Sequence, residues 1–274
     1  MNLPTLDYLK SIKSSPIIHV TDIETGSKGP DAHIFSASVV TVDVYQRRII
    51  NQTYMLISNE GQENRVKDDI NQPDSTMAFW MRQETESPEA YAELFSSDKS
   101  DERLSLPEAL HQIAYYIEEN TPEGTKAQVM GNGPEFDNVI LSHAYEEAGI
   151  EQPWKFRGNQ SLRTACLLGR LLLGIDPKYT LKREGPLHHA LYDALHEAEY
   201  FIEIISALIT AVTKSHNVVD MESDQQNMLR SSLLKALGYT TDSSKELVDL
   251  LAEVEFNRKA LHSGEAEPCA CACQ

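Results

Sequence analysis

Four carboxylates and one histidine have the types and spacing that chemistry would need. Asp22 and Glu24 stand two residues apart, just after the short apolar run 17–20. On a strand, residues two apart face the same side. The pair would therefore offer hard oxygen donors to a cation such as Mg²⁺ or Mn²⁺. Taken alone, Asp-x-Glu fits a solvated strand end better, because the pattern is common by chance. Asp137 follows the tight turn Gly131-Asn132-Gly133-Pro134 and opens a helical segment; alone, it reads as an acid complementing the helix dipole. His188 precedes Asp193 by five residues. The two do not stack on one helix, but with His188 in a loop or cap both can face one cavity. A competing arrangement uses His189 and Asp193 at i, i+4 with His196 or Glu197, in the manner of a zinc site. No cysteine or third histidine is placed to complete it.

These residues need elements to hold them. Residues 17–20 read as a buried strand that ends just before Asp22, 25–31 as a loop, and 33–44 and 47–57 as strands with a weak hairpin turn at Arg47-Arg48. Residues 59–74 are polar and loop-like. A short helix over 75–81 is capped by Ser75 or Asp74, 88–95 continue helically, and 96–103 form a charged loop. Ser105 caps an amphipathic helix with Leu106, Leu110, Ile113, Ala114 and Ile117 on one face, and Pro107 sits where a helix start tolerates proline. Residues 127–131 read as a strand. Helices follow over 136–148, stopped by Gly149, over 161–173 and over 188–212. The order predicts an α/β fold with a mixed sheet. Residues 1–213 form the main domain, 214–262 a helical appendage (223–237 and 243–261), and 263–274 a disordered tail.

Bulk properties narrow the function. The chain has 274 residues and a net charge of −18, from 24 basic and 42 acidic residues. That argues against coating nucleic acid through a broad basic surface. It leaves room for an enzyme that takes one strand end into a small pocket, where bound cations offset carboxylates and phosphate. Cys166 reads as a small buried hydrophobe. Cys269, Cys271 and Cys273 lie in the tail and lack the paired spacing of structural zinc. The cysteine usage fits a reducing cytoplasm. Residues 1–16 do not resemble a secretory leader, and no apolar run is long enough to span a membrane.

Jointly, Asp22-Ile23-Glu24-Thr25, the stretch from Asn132 to Asp137 and the stretch from His188 to Ala194 resemble the DEDDh branch of the DnaQ-like, RNase H-type exonucleases. The likeness covers residues 17–212. Within that branch, Thr76-Met77-Ala78-Phe79-Trp80-Met81-Arg82-Gln83 is similar to an element of phage DexA-type exonucleases and the exonuclease VIII catalytic domain. Phe156-Arg157 and Leu162-Arg163-Thr164 are similar to the Arg-Thr element that follows in those proteins. The loop 26–32 and the appendage after Lys214 depart from the family pattern.

The resemblance implies an RNase H-like mixed sheet and 3′–5′ phosphodiester hydrolysis of single-stranded DNA or RNA ends. Asp22, Glu24, Asp137 and Asp193 would hold two Mg²⁺ or Mn²⁺ ions about 4 Å apart, one for the attacking water and one for the leaving oxygen. His188 would be the general base, with His189 as its competitor. Thr25, Trp80, Gln83, Asn132 and Arg163 would bind substrate: Trp80 by stacking on a terminal base, Gln83 and Asn132 at sugar or base edges, and Arg163, like Arg157, at phosphate. For Phe79 core packing is the expected role. Two alternatives stand beside this reading: a short-RNA exoribonuclease of the oligoribonuclease or RNase T kind, and a catalytically silent binding module. A homodimer is a further arrangement left open.

Overall fold

The computed structural model describes residues 3–219, with side chains to residue 213. The expected helices over 223–237 and 243–261, the tail and its three cysteines lie outside the described residues. So does the C-terminal side of the division expected at residue 214.

A short helix α1 (Leu6–Ser11) precedes a meander of three antiparallel strands, β1 (Ile17–Thr25), β2 (Ile34–Asp43) and β3 (Arg48–Ile57). Arg47 turns the β2–β3 hairpin with φ +55°. Helices α2 (Thr76–Glu86) and α3 (Pro88–Phe95) follow, then the short strand β4 (Arg103–Leu104) and α4 (Leu106–Asn120). Next come β5 (Val129–Gly131), α5 (Asp137–Ala148), β6 (Asn159–Ser161), α6 (Leu162–Leu168), the one-turn α7 (Pro177–Thr180) and the long α8 (Ala190–Val219). The sheet order is β4-β3-β2-β1-β5-β6, with β5 and β6 parallel to β1 and β4 parallel to β3. This is the mixed sheet flanked by helices that the element order predicts.

Local chemistry accounts for the elements. Ser105 caps α4 with a full capping box to Glu108. That helix buries Leu106, Leu110, Ile113 and Ile117, each stabilising by roughly 1.5–3 kcal/mol. Gly149 closes α5 in the left-handed region. Three expectations are corrected. The first strand extends through Thr25, so Asp22 and Glu24 lie within it. The 161–173 segment breaks after Leu168 into one wide turn of π-helix, Gly169–Leu173. The last helix starts at Ala190, not at 188. The polar stretch 59–74 is the loop expected, tied down by Arg65, whose buried guanidinium donates to the carbonyls of Pro30, Ala32 and Ile140 and pairs with Glu147.

The sheet separates two cores. Ile23, Ala37, Val39, Met55 and Val129 pack with α4 and α5. Val20, Val40, Val42 and Met130 pack with α6 and with Ala194, Ala198 and Phe201 of α8. Strand alternation then places Asp22 and Glu24 on the face of Val20, toward α8. On the opposite face, with Ile23, buried His19 lies between two hydroxyls, with Nδ1 3.0 Å from Thr41 Oγ1 and Nε2 3.0 Å from Thr121 Oγ1.

Candidate active site

Strand β1 pairs with β5 only at His19 and Val20, and β5 ends at Gly131. Residues 22–25 therefore run on past their parallel neighbour, and the turn from Asn132 brings α5 in beside them. Gly131 allows this approach: a Cβ there would lie 2.7 Å from Asn138 Oδ1 and 2.8 Å from Asp137 Oδ2. Asn138 locks the start of α5 by donating to Val129 O and Asn159 Oδ1, both at 3.0 Å.

From the other side, His188 and Asp193 arrive at the entrance to α8. His188 precedes the helix and Asp193 sits in its first turn, the disposition that lets both face one cavity. His188 is held at φ +61°, a region few non-glycine residues occupy and one that concentrates at functional sites. Its surroundings enforce this. Ser87 Oγ donates to Leu187 O at 2.9 Å, and the imidazole meets the Phe79 ring edge-on at 4.9 Å.

Asp22, Glu24, Asp137, His188 and Asp193 all line one cavity of about 360 Å³. Ligand atoms of Glu24, His188 and Asp193 lie within 4.8 Å of one another. Burial pushes the Asp22 carboxyl far above its ordinary range, and Glu24, Asp137, Glu197 and Asp193 add to the shift. Glu24 is raised by burial and then by Asp193 and Asp137. Asp137 is raised by burial to about 7, held back by backbone N–H groups including that of Ile23. Crowded carboxylates shifted upward leave a place for further positive charge, and the oxygen donors of the four carboxylates suit hard divalent cations. Burial lowers the His188 imidazole, opposed chiefly by Asp193, which favours the neutral form that can accept a proton.

The expected substrate residues divide. Asn132 and Arg163 line the cavity, and Arg163 pairs with Glu135 at its rim. Thr25 lines a second cavity of about 590 Å³ that shares Ile23, Glu24 and Phe136 with the first. Trp80 also borders that second cavity but presents almost no surface to it. It is 1% exposed, packs against Phe35 and Phe95, and donates its indole N–H to Thr25 O at 2.9 Å. Phe79, assigned to the core from sequence, is half-buried and lines that second cavity. Gln83 is buried with its amide on Glu86 Oε2, 3.0 Å away, and reaches neither cavity. The zinc alternative does not assemble: His189 lies against the Tyr54 and Tyr192 rings, and His196 Nε2 is 3.2 Å from Lys178 O.

Sequence reasoning missed three groups that line the first cavity. Arg183 and Lys178 come from the irregular stretch and short helix before α8, which carry no motif. Arg183 pairs with Asp193 and donates to Pro186 O at 3.1 Å. Glu197, weighed only as a zinc ligand, sits one helical turn beyond Asp193, and that spacing was a usable signal.

A family model described as the 3′-5′ exoribonuclease Rv2179c-like domain matches residues 19–205. Comparison with curated proteins finds no match. Among solved structures, the nuclease domain of 3′hExo, a DEDDh family member bound to rAMP, superposes with TM-score 0.50 at 13% identity, covering 70% of this chain and 92% of that one. Cell-death related nuclease 4 (CRN-4) gives 0.51 at 15%, covering 70% and 64%. E. coli exonuclease I in complex with a dT13 oligonucleotide gives 0.51 at 10%, covering 73% and 43%. At these identities the likenesses concern the fold.

Proposed function

The chain belongs to the 3′-5′ exoribonuclease Rv2179c-like domain family, and from that premise we propose that it removes nucleotides from single-stranded 3′ ends with two divalent cations, Mg²⁺ or Mn²⁺. The observation that carries this reading is the convergence of Glu24, His188 and Asp193 within 4.8 Å, in a cavity that Asp22 and Asp137 also line. Asp22, Glu24, Asp137 and Asp193 would hold the ions. When bound, the ions supply charge for the phosphate and lower the cost of deprotonating water.

The protein's own groups do the rest. His188, neutral and fixed by its backbone, takes the proton of the attacking water on a ring nitrogen. Arg163 and Asn132 at the rim position the scissile phosphate. The second cavity receives the terminal nucleoside, with Phe79 supplying the aromatic face that Trp80 cannot, and Thr25 beside it. RNA is the polymer the family description favours. The stretch from Thr76 to Gln83 supports a kinship with phage DexA-type exonucleases and the exonuclease VIII catalytic domain on this reading. A homodimer and a reducing cytoplasm complete it. Residues 48–53 of β3 have no outer strand partner among the described residues, and Cys166 is a buried free thiol.

The test uses 5′-labelled single-stranded RNA and DNA with Mg²⁺, Mn²⁺ or EDTA, alongside Asp22→Ala and His188→Ala. A ladder shortening from the 3′ end, dependent on metal and lost in both variants, is expected. No cleavage of either polymer with any metal would overturn the proposal.

A further inference from the structure

Helix α8 brings a fifth carboxylate to the floor of the cavity. Glu197 follows Asp193 by four residues, so both side chains leave the same helix face. It is 5% exposed, and its Oε2 has no hydrogen-bond partner. The Tyr200 hydroxyl, also buried and also lining the cavity, likewise lacks a partner. A buried carboxylate oxygen left unpaired costs several kcal/mol unless a cation or its water fills the gap. The Lys178 ammonium lines the cavity too, but no ion pair joins it to Glu197 among the described residues. Burial raises the Glu197 carboxyl well above its ordinary range, Asp137 and Asp193 add to the shift, and Lys178 and the Asn132 side chain hold it back. Glu197 shares the cavity lining with Asp22 and Asp137 and stands outside the cluster of Glu24, His188 and Asp193.

We propose that Glu197 is an additional ligand, direct or through one water, for the divalent cation that lies outside the cluster of Glu24, His188 and Asp193. This rests on the two-cation reading above and adds to it a residue outside its four carboxylates. Glu197 would raise the affinity of one ion and leave the other, held by Glu24 and Asp193, nearly unchanged. Removal of such a group typically costs 10- to 100-fold in metal affinity.

The test is Mn²⁺ binding to the full chain without substrate, read from the loss of the free-ion electron paramagnetic resonance signal. Wild type, Glu197→Gln and Asp22→Asn are compared, with melting curves in EDTA to confirm folding. Wild type is expected to bind two ions. Glu197→Gln should keep one at unchanged affinity and bind the other at least about tenfold more weakly. Its melting temperature in EDTA should rise, because one crowded charge is gone. If Glu197→Gln binds both ions as wild type does, the proposal falls and the two-cation reading stands. If wild type binds no Mn²⁺, that reading fails and takes the proposal with it. Should Glu197→Gln not fold, Glu197→Asp shortens the reach while keeping the charge, and unchanged binding there overturns the proposal equally.

Discussion

The Trp80 indole N–H donates to the carbonyl of Thr25 at 2.9 Å, joining α2 to the end of the strand that carries Glu24. A ring buried for this purpose cannot also serve as a base platform. Trp80→Phe keeps most of the packing but strands a buried carbonyl, which costs about 1–3 kcal/mol. Urea unfolding should show that loss, and exonuclease turnover should fall with it. A variant of wild-type stability would show that the bond holds nothing.

His188 combines a left-handed backbone with a place in the cavity. Asn tolerates that backbone region better than most residues. His188→Asn should therefore melt within a few degrees of wild type, while kcat drops on the order of 10²–10⁴-fold, the usual contribution of a general base. Activity within tenfold of wild type would remove His188 from its role.

Gly131 has room for no side chain beside Asp137. Gly131→Ala must push the Asp137 carboxylate or the Asn138 amide aside, because both lie within 2.8 Å of the added carbon. Misplacement of about 1 Å can cost on the order of 10²-fold in rate. Steady-state kinetics at saturating Mn²⁺ should show that loss in a protein that still folds; rates near wild type would mean the turn absorbs the methyl group.

Much of this arrangement was legible beforehand, and the failures have physical causes. Strands β1–β3 and helices α4 and α5 announce themselves through apolar runs, period and caps. Strands β4 and β6 are two and three residues long, too short to carry a period, so the sheet widened beyond expectation. Asp137, Asp193 and His188 are legible because each lies at or just before the start of a helix, and Asp22 and Glu24 because their spacing of two puts both on one face of a strand. Phe79 and Trp80 are neighbours on one helix, and only its rotation against Phe35 decides that Trp80 turns fully inward while Phe79, packed against the same cluster, keeps a face on the second cavity. Arg183 pairs with Asp193 from a segment without regular structure, where spacing carries no information.

Without cations, the protein should lose stability as pH rises. Asp137 is raised to about 7 from an ordinary 3.8. Between those values the folded protein holds a proton that the unfolded chain has released. The stabilisation is complete below about pH 4 and lost as pH climbs through 7, on the order of 4 kcal/mol. Asp22, Glu24 and Glu197 shift in the same direction. Melting in EDTA from pH 5 to 8 should show the decline, Asp137→Asn should flatten it, and Mn²⁺ at pH 8 should reverse it. A pH-independent melting point in EDTA would contradict this account.

His19 works with the opposite sign. Burial lowers it to about 4 from 6.5, so the unfolded chain takes up a proton that the folded protein refuses. Its share of stability is full above pH 6.5 and drains away as pH falls toward 4, roughly 3 kcal/mol in all. Urea unfolding of wild type and His19→Gln, compared between pH 7 and 4.5, should give a steeper acid decline in wild type. Parallel curves would assign that decline elsewhere.

The overhang of β1 past β5 has one more consequence. A strand that outruns its neighbour leaves backbone amides beyond the ladder, and here the Ile23 N–H acts on the Asp137 carboxylate and holds back the rise of its pKa. The acid acts as a splice plate, continuing with a side chain the joint that β5 no longer makes. Chemistry and carpentry thus share one residue. Trimming Asp137 to Ala would slacken the beam that carries Asp22 and Glu24, whereas an amide in its place would keep the joint and remove only the charge.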